Sequence, residues 1–429
     1  MSVWEQYPIE QRQEYEKYLQ GYGTLTKLFT QKNSHIPYLD SKFQETVYAK
    51  AFNSRNTDIG NTPHDILSIV NGRHIGIGLK TWMNSAPSFQ KVMQLKRFKD
   101  DINQYLENPT ELVAKISEIK NDRLESDYFR LGLSEDLNIY HYVVRDTGVF
   151  KIAETAYPKV DISHIKDAKF LESGGKTTAV QWNDGRKHYK YTFADSQVYM
   201  KFDLANSDTT IVDTIPIKVL ENPFDYILKL ADDLEVTQSP DKQAATTIGD
   251  REEVAYLPLY SFKTGKVEER SGLNAWNGAP KNKGSDRPRP LGEVYIPVPI
   301  EFHKEHPNFF VDNIFEKIRD KQPIEFNIIL PNGACMPGRL TGDNLKNFQS
   351  GSNDPSKRKP NGERWGQSDL GNWLLVDVLG LHSRDLVTRE WLNKRGVDSV
   401  KIWHKNGDKS KIYLDIAPAG SFEKFMHKK

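Results

Sequence analysis

At 429 residues the chain is too long for one typical core, so two or three domains are expected. Its 37% hydrophobic and 27% charged residues are those of a globular protein, and the single cysteine, Cys335, excludes an internal disulfide and any thiolate metal cluster. A net charge of +1 does not announce a nucleic-acid binder, so the distribution of charge has to decide. No apolar run is long enough to span a bilayer, and the N-terminus "MSVWEQYPIEQRQEYEKYLQ" is too polar for a secretory signal, so a cytoplasmic protein is expected. HExxH, the P-loop and a complete GxGxxG are all missing.

In "LDSKFQETVYAKAFN", Asp40 or Ser41 suits an N-cap, and Phe43, Val47 and Phe52 form a helical stripe. The loop "NSRNTDIGNTP" follows, then "HDILSIVNGRHIGIGLK" from His64 to Lys80, a hairpin turning at "VNGR". The stretch "APSFQKVMQLKRFKDDINQYLENPTELVAKISEIKNDRLES" is charged and reads as largely helical. Beyond Tyr140 strands take over, with Asp184-Gly185 marking the turn of a hairpin in "AVQWNDGRKHYKYTF". "LEVTQSPDKQAATTIGDREE" lacks periodicity and carries Pro and Gly breakers. The expected domains are therefore residues 1–233 (α/β, or α+β), a linker over 234–253, and a mainly-β part over 254–429.

In that last part "EVYIPVPIEF", "PIEFNIILPNGACMPGRL" and "SVKIWHKNGDKSKIYLDI" read as strands, the last turning at Asn406-Gly407. Short helices fit "LGNWLLVDVLGL" and "VTREWLNKRG", and about seven short strands suggest a small barrel. Cys335 reads as a small residue beside a turn. "KNKGSDRPRP" and "PSKRKPNGERWG" are basic, Gly- and Pro-rich and flanked by tryptophans, so both are loops that carry positive charge.

Metal-dependent phosphodiester hydrolysis requires carboxylates to hold Mg2+ and a lysine to orient the attacking water. The His64–Lys80 hairpin sets Asp65 at the start of one strand and Lys80 beside it on the return strand. Ile75, Ile77 and Leu79 then share one face and Gly76, Gly78 and Lys80 the other. Nucleases built this way carry an acid two places before the lysine. Here Gly78 leaves room but no ligand, so Glu45, on the preceding helix and off its apolar stripe, is the first replacement, with Asp58 second. The same residues also suit an ordinary amphipathic hairpin. A competing constellation is "HYKYTFAD", His188 to Asp195, whose His-x-Lys-x4-Asp spacing begins a metal-independent nucleophilic site on His188 and Lys190, although no Gly-Ser-x-Asn comes after it.

The segments "SGLNAWNG", "LGEVYIPVPIEFHKEHPNFF", "LGNWLLVDVLGL" and "LVTREWLNKRGVDSVKIWHKNGDKSKIYLDIAP", in that order over Leu257 to Pro418, resemble the DNA-binding domain of the NgoFVII-like restriction endonucleases, a plant B3-type pseudobarrel. The resemblance implies two arms that grip the major groove, Trp276 through Arg289 and Gln349 through Gln367, which contain the two basic loops. It points to Asn274, Trp276, Asn277, Arg287, Arg289 and Glu293 in or beside the first arm. Ser352, Asn353, Lys357, Arg358 and Arg364 are their counterparts in the second. Arginine and asparagine suit base edges, lysine suits phosphates. The first arm departs from the family's compact "LNWGQ", which implies a different recognised sequence. Such domains are joined to nucleases, some of the phospholipase D type, to which His188 and Lys190 would correspond. "TPHDI…GLK" also resembles a PD-(D/E)XK core, with Asp65 and Lys80 in the places of its aspartate and lysine. Together the two resemblances imply a type II restriction endonuclease that cuts double-stranded DNA with Mg2+ on Asp65 and Glu45, works as a homodimer and is paired with a DNA methyltransferase. The rival reading is a non-catalytic protein that reads a specific or modified site.

Overall fold

The computed structural model describes residues 2–30, 35–59, 62–84, 88–237, 252–279, 288–352, 354 and 356–427. Residues 238–251 of the expected linker, Arg287 with the rest of 280–287, and Asn353 lie outside the described residues. The chain divides into two compact units, Met1–Leu124 with Leu133–Thr247, and Glu125–Gly132 with Ile248–Lys429. Among the described residues no helix is long and apolar enough to cross a membrane.

The first unit contains, in chain order, α1 (Ile9–Thr24), α2 (Ser41–Ala51), β1 (Arg55–Asn56), β2 (Ile66–Val70), β3 (Arg73–Met83), β4 (Ser88–Gln94), α3 (Lys99–Asn103) and α4 (Pro109–Leu131), whose residues from Glu125 on count with the second unit. Then come β5 (Ile139–Asp146), β6 (Val149–Ala156), β7 (Lys166–Ser173), β8 (Lys176–Asn183), β9 (His188–Thr192), β10 (Gln197–Phe202), β11 (Thr209–Pro216) and α5 (Pro223–Thr237). One sheet has the order β1-β2-β3-β5-β6-β11 and the other β4-β10-β9-β8-β7. Only β3 and β5 pair in parallel within the first sheet, and a parallel pair needs a crossover, which the α3–α4 segment supplies.

Asp40 is the cap of α2: its carboxylate accepts from the backbone N–H of Lys42 (2.9 Å) and Phe43 (3.1 Å). That start angle turns Val47, Tyr48 and Ala51 onto Ile66, Ile75, Ile77 and Leu79 of the hairpin, with Tyr15 and Leu19 of α1 in the same core. Each buried aliphatic side chain there stabilises by ~1.5–3 kcal/mol, so the hairpin is held by this apolar face, while on its other face Gly76 and Gly78 are buried too and the surface opens at Lys80.

Not every expected element forms. Residues 88–94, read as helix, are β4, because pairing with β10 buries Val92 and Met93; the long helix starts only at Pro109, where Asn108 accepts from Thr110 N–H at 3.0 Å. Residues 234–237 of the expected linker finish α5, and Glu252 and Glu253 open a strand.

The second unit holds β12 (Glu252–Pro258), β13 (Ile296–Pro297), α6 (Ile300–Glu305), α7 (Ile314–Arg319), β14 (Ile324–Ile329), β15 (Cys335–Thr341), β16 (Asn347–Ser350), α8 (Ser368–Gly371), α9 (Arg389–Arg395), β17 (Val397–Lys405), β18 (Lys411–Pro418) and α10 (Ser421–Met426). Its seven strands run in the order β12-β17-β18-β14-β15-β16-β13, and the two edge strands, β12 and β13, pack against each other, which curls the sheet toward a barrel. "EVYIPVPIEF" contributes only the two residues of β13, since Pro297 and Pro299 have no N–H to give a ladder and α6 begins at Ile300. The β17–β18 hairpin turns at Asn406 and Gly407, both at positive φ (52° and 76°), as Asn-Gly requires. Cys335 is exposed at the start of β15.

Candidate functional site

The hairpin of β2 and β3 sets Ile66 opposite Ile77 and Leu67 opposite Gly76, with its turn at Asn71 and Gly72 (φ 52° and 74°). Asp65 extends the ladder by donating its N–H to Ile77 O at 3.0 Å. Its Oδ2 accepts from Leu79 N–H at 2.6 Å and lies 3.7 Å from Lys80 Nζ, which itself donates to Leu79 O at 2.9 Å. The two side chains are 18% and 22% exposed, open enough to meet a ligand and enclosed enough to be held. Lys80 Nζ also stands over the Tyr140 ring, 6.0 Å from its centre.

Gly78 does not leave room, contrary to the sequence reading. A Cβ there would stand 2.7 Å from Tyr140 Cδ1 and 3.1 Å from Tyr157 Cε1. These rings are stacked 3.8 Å apart and fill the space where the acid of a hairpin nuclease would project. Tyr140 arrives on β5, directly opposite Gly78 in the parallel pairing.

Glu45 is on α2 with its side chain 15% exposed, and its Oε2 accepts from Lys42 Nζ at 2.5 Å. That bond is the main reason the Lys42 ammonium titrates above its ordinary range; the charges of Asp58 and Asp65 push the same way. The helix carboxylate and the strand carboxylate thus act on one ammonium. Lys42 was missed in the sequence, although its i, i+3 spacing from Glu45 was a usable signal. Among the described residues no three His, Cys, Asp or Glu side chains stand close enough to hold a metal ion together. Mg2+ often takes only one or two carboxylates and fills its shell with water. The donor chemistry fits that mode, because among the described residues Asp65 and Glu45 spend only Oδ2 and Oε2 on protein contacts.

His188 and Lys190 lie on β9, in the other sheet of this unit. His188 is exposed, whereas Lys190 Nζ packs over the rings of Phe89 (4.8 Å) and Tyr199 (5.2 Å), the role of a side chain covering a sheet face.

In the second unit several residues assigned to the first arm hold its root instead. Asn274 is fully buried, and its amide is saturated: Nδ2 donates to Glu268 O and Val387 O, Oδ1 accepts from Val387 N–H. Trp276 is buried as well. Arg289 donates from Nε to Ala279 O and from Nη1 to the buried Glu293 at 2.8 Å, a clamp across the arm's two ends. Asn277, half-buried, donates to Arg384 O, and Arg384, at φ 69°, donates back to Arg289 O. Arg384 carried no signal in the sequence.

The second arm is different. Arg358 and Arg364 are exposed and face each other as antiparallel bridge partners, closed by a turn with Gly362 at φ 82°. Arg358 donates only to Gly362 O, and Arg364 makes no ion pair or side-chain hydrogen bond among the described residues. Lys357 is exposed, 3.8 Å from Glu325, and Ser352 Oγ accepts from Asp354 N–H. Ser350 anchors the arm by donating to Gly366 O and accepting from Leu370 N–H. A cavity of about 640 Å³ opens at the other end of β16, on Asn347, so it does not belong to the arms.

No curated protein matches the chain. Residues 253–406 match the model of the NgoFVII C-terminal B3-like DNA-binding domain, 154 of 429 residues, so the match speaks for the second unit and leaves the first to its own geometry. The second unit therefore carries a DNA-binding domain of the kind found in restriction enzymes.

Proposed function

We propose that the chain is a sequence-specific type II restriction endonuclease in which the first unit hydrolyses double-stranded DNA and the second reads a short duplex site. The observation that carries this is Asp65 and Lys80, 3.7 Å apart on neighbouring strands, in a chain whose other unit matches a restriction-enzyme DNA-binding domain. Lys80, tethered at Leu79 O and 3.7 Å from Asp65, orients the attacking water toward the phosphorus. Asp65, fixed by the Leu79 N–H, and Glu45, once released by Lys42, are the residues that would hold Mg2+. Bound there, Mg2+ supplies neutralisation of the charge that builds on the scissile phosphate. Cutting both strands calls for two such sites, hence a homodimer, and a methyltransferase of the same specificity must protect the host.

A second reading, a DNA-binding protein without catalysis, is favoured by the Tyr140 ring standing where an acid would be.

The test is incubation of the purified protein with unmethylated plasmid and phage DNA in Mg2+ or in EDTA. The expected result is discrete fragments in Mg2+ alone, abolished in Asp65→Ala, which still retards DNA in a gel. Lys80→Met is expected to slow cutting by roughly 10²–10⁴-fold, the range for losing a positioned proton-transfer group. Fragments in EDTA would remove Asp65 and Lys80 from the mechanism and promote His188 and Lys190. Binding without cutting in either condition leaves the second reading.

A further inference from the structure

Helix α5 presents apolar side chains that no described residue covers. Phe224 (59% exposed), Tyr226 (55%), Ile227 (40%), Leu228 (63%) and Leu230 (48%) fall within seven residues interrupted only by Asp225 and Lys229. At about 100° per residue they spread over one broad side of the helix, with Asp225 and Lys229 on the other. The helix touches the turn at Thr26–Leu28, and Phe29, the next residue, extends the patch at 46% exposure, stacked on Tyr22. An ion pair between Lys27 and Glu221 ties the chain down just before the helix.

Taking roughly 200 Å² for a large side chain, the six exposures come to about 600 Å² per copy, at the upper limit for a monomer's largest apolar patch. Two such patches pressed together remove about 1,200 Å² from water, the size at which specific, stable interfaces begin. The described side chains of the helix carry no excess of base, Asp225 against Lys229, which argues against an anionic lipid surface or nucleic acid. A net charge of +1 puts no repulsion between two copies, and a patch that pairs with itself forms a closed two-fold dimer.

We infer that α5 and Phe29 form the interface of a homodimer, with the same helix of a second copy as the occupant. This does not depend on the first unit cutting DNA.

Sedimentation velocity and light scattering of the full chain at micromolar concentration test it. The expected mass is twice 49.3 kDa. Ile227→Asp with Leu228→Asp, checked by circular dichroism for an unchanged fold, is expected to weaken the dimer at least ten-fold, whereas Leu386→Asp, at an exposed leucine of the second unit, leaves it intact. A monomeric wild type overturns the inference, and so does a dimer that survives the double substitution. If the wild type is monomeric and the α5 amides are protected from deuterium exchange, the chain itself covers the face. Should the dimer persist as expected while DNA stays uncut, only the nuclease reading fails.

Discussion

Gly78 shows how one residue limits a motif. Restoring the acid by Gly78→Asp would push a Cβ into the Tyr140–Tyr157 stack at 2.7 Å. Overpacking of this kind costs ~1–3 kcal/mol, so the variant is expected to melt earlier and to cut no faster; a Gly78→Asp protein with wild-type melting and faster cutting would show the space exists. Asp65 and Lys80 were legible because the two-residue period of a strand fixes which side chains meet across a hairpin. Tyr140 was not, because it comes from a strand 60 residues on, and pairing partners after a crossover leave no trace in local pattern. Lys42 lies between these cases. It neutralises Glu45 while the cation is away, so Lys42→Gln is expected to tighten binding of a luminescent lanthanide ion by up to about five-fold, the ~0.2–1 kcal/mol of an exposed ion pair. Weaker or unchanged lanthanide binding would mean that Glu45 is not part of the cation site.

The two arms show the same limit one level up. Composition alone located the second basic loop, yet residue type could not say which side chains read and which hold. An asparagine or arginine bonds backbone carbonyls as readily as base edges, and only burial separates the two uses. Asn274, with two buried bonds to Val387 and a part-buried one to Glu268, is expected to behave structurally: Asn274→Ala leaves the Val387 groups unsatisfied at ~1–3 kcal/mol each, which lowers the second unit's melting temperature without altering the salt dependence of DNA binding. Arg358→Ala and Arg364→Ala should do the reverse. If the pair contacts phosphate, each change reduces the salt slope of the binding constant by about one; if it contacts bases, affinity falls by ~1–3 kcal/mol per residue at the cognate site only. Arginine variants that bind every sequence and salt like wild type would take this arm out of the interface. Elements were least legible where tertiary pairing overrode pattern, as in β4, where a charged segment became a strand because β10 offered it a ladder, and in β13, where two prolines cut a long apolar run to two paired residues.

For the molecule as a whole, the strand-rich character of the second unit could be read from composition and turn signals, since an Asn-Gly turn such as Asn406-Gly407 acts locally. The burial of charge could not. Lys120 on α4 is 1% exposed, between the Tyr157 and Tyr189 rings (5.8 Å each), and among the described residues only Pro158 O, at 3.4 Å, accepts from its ammonium. Desolvation lowers its pKa from 10.5 to about 7, against which the charge of Asp184 works weakly. Between pH 7 and 10 the unfolded chain therefore holds a proton at this lysine that the folded chain has released. Stability rises with pH wherever the unfolded state binds more protons, so the first unit should grow more stable from pH 7 toward pH 10. Above pH 10 the trend reverses, because burial holds the phenols of Tyr140 and Tyr189 well above their ordinary value and only the unfolded chain ionises them. Lys120→Met removes the penalty, so it should raise the denaturation midpoint at pH 7 and flatten the rise to pH 9.5. Urea titrations of both proteins across that range decide it. A wild-type midpoint that stays level or falls from pH 7 to 9.5, or a Lys120→Met protein that rises just as steeply, would mean the folded unit keeps this lysine charged.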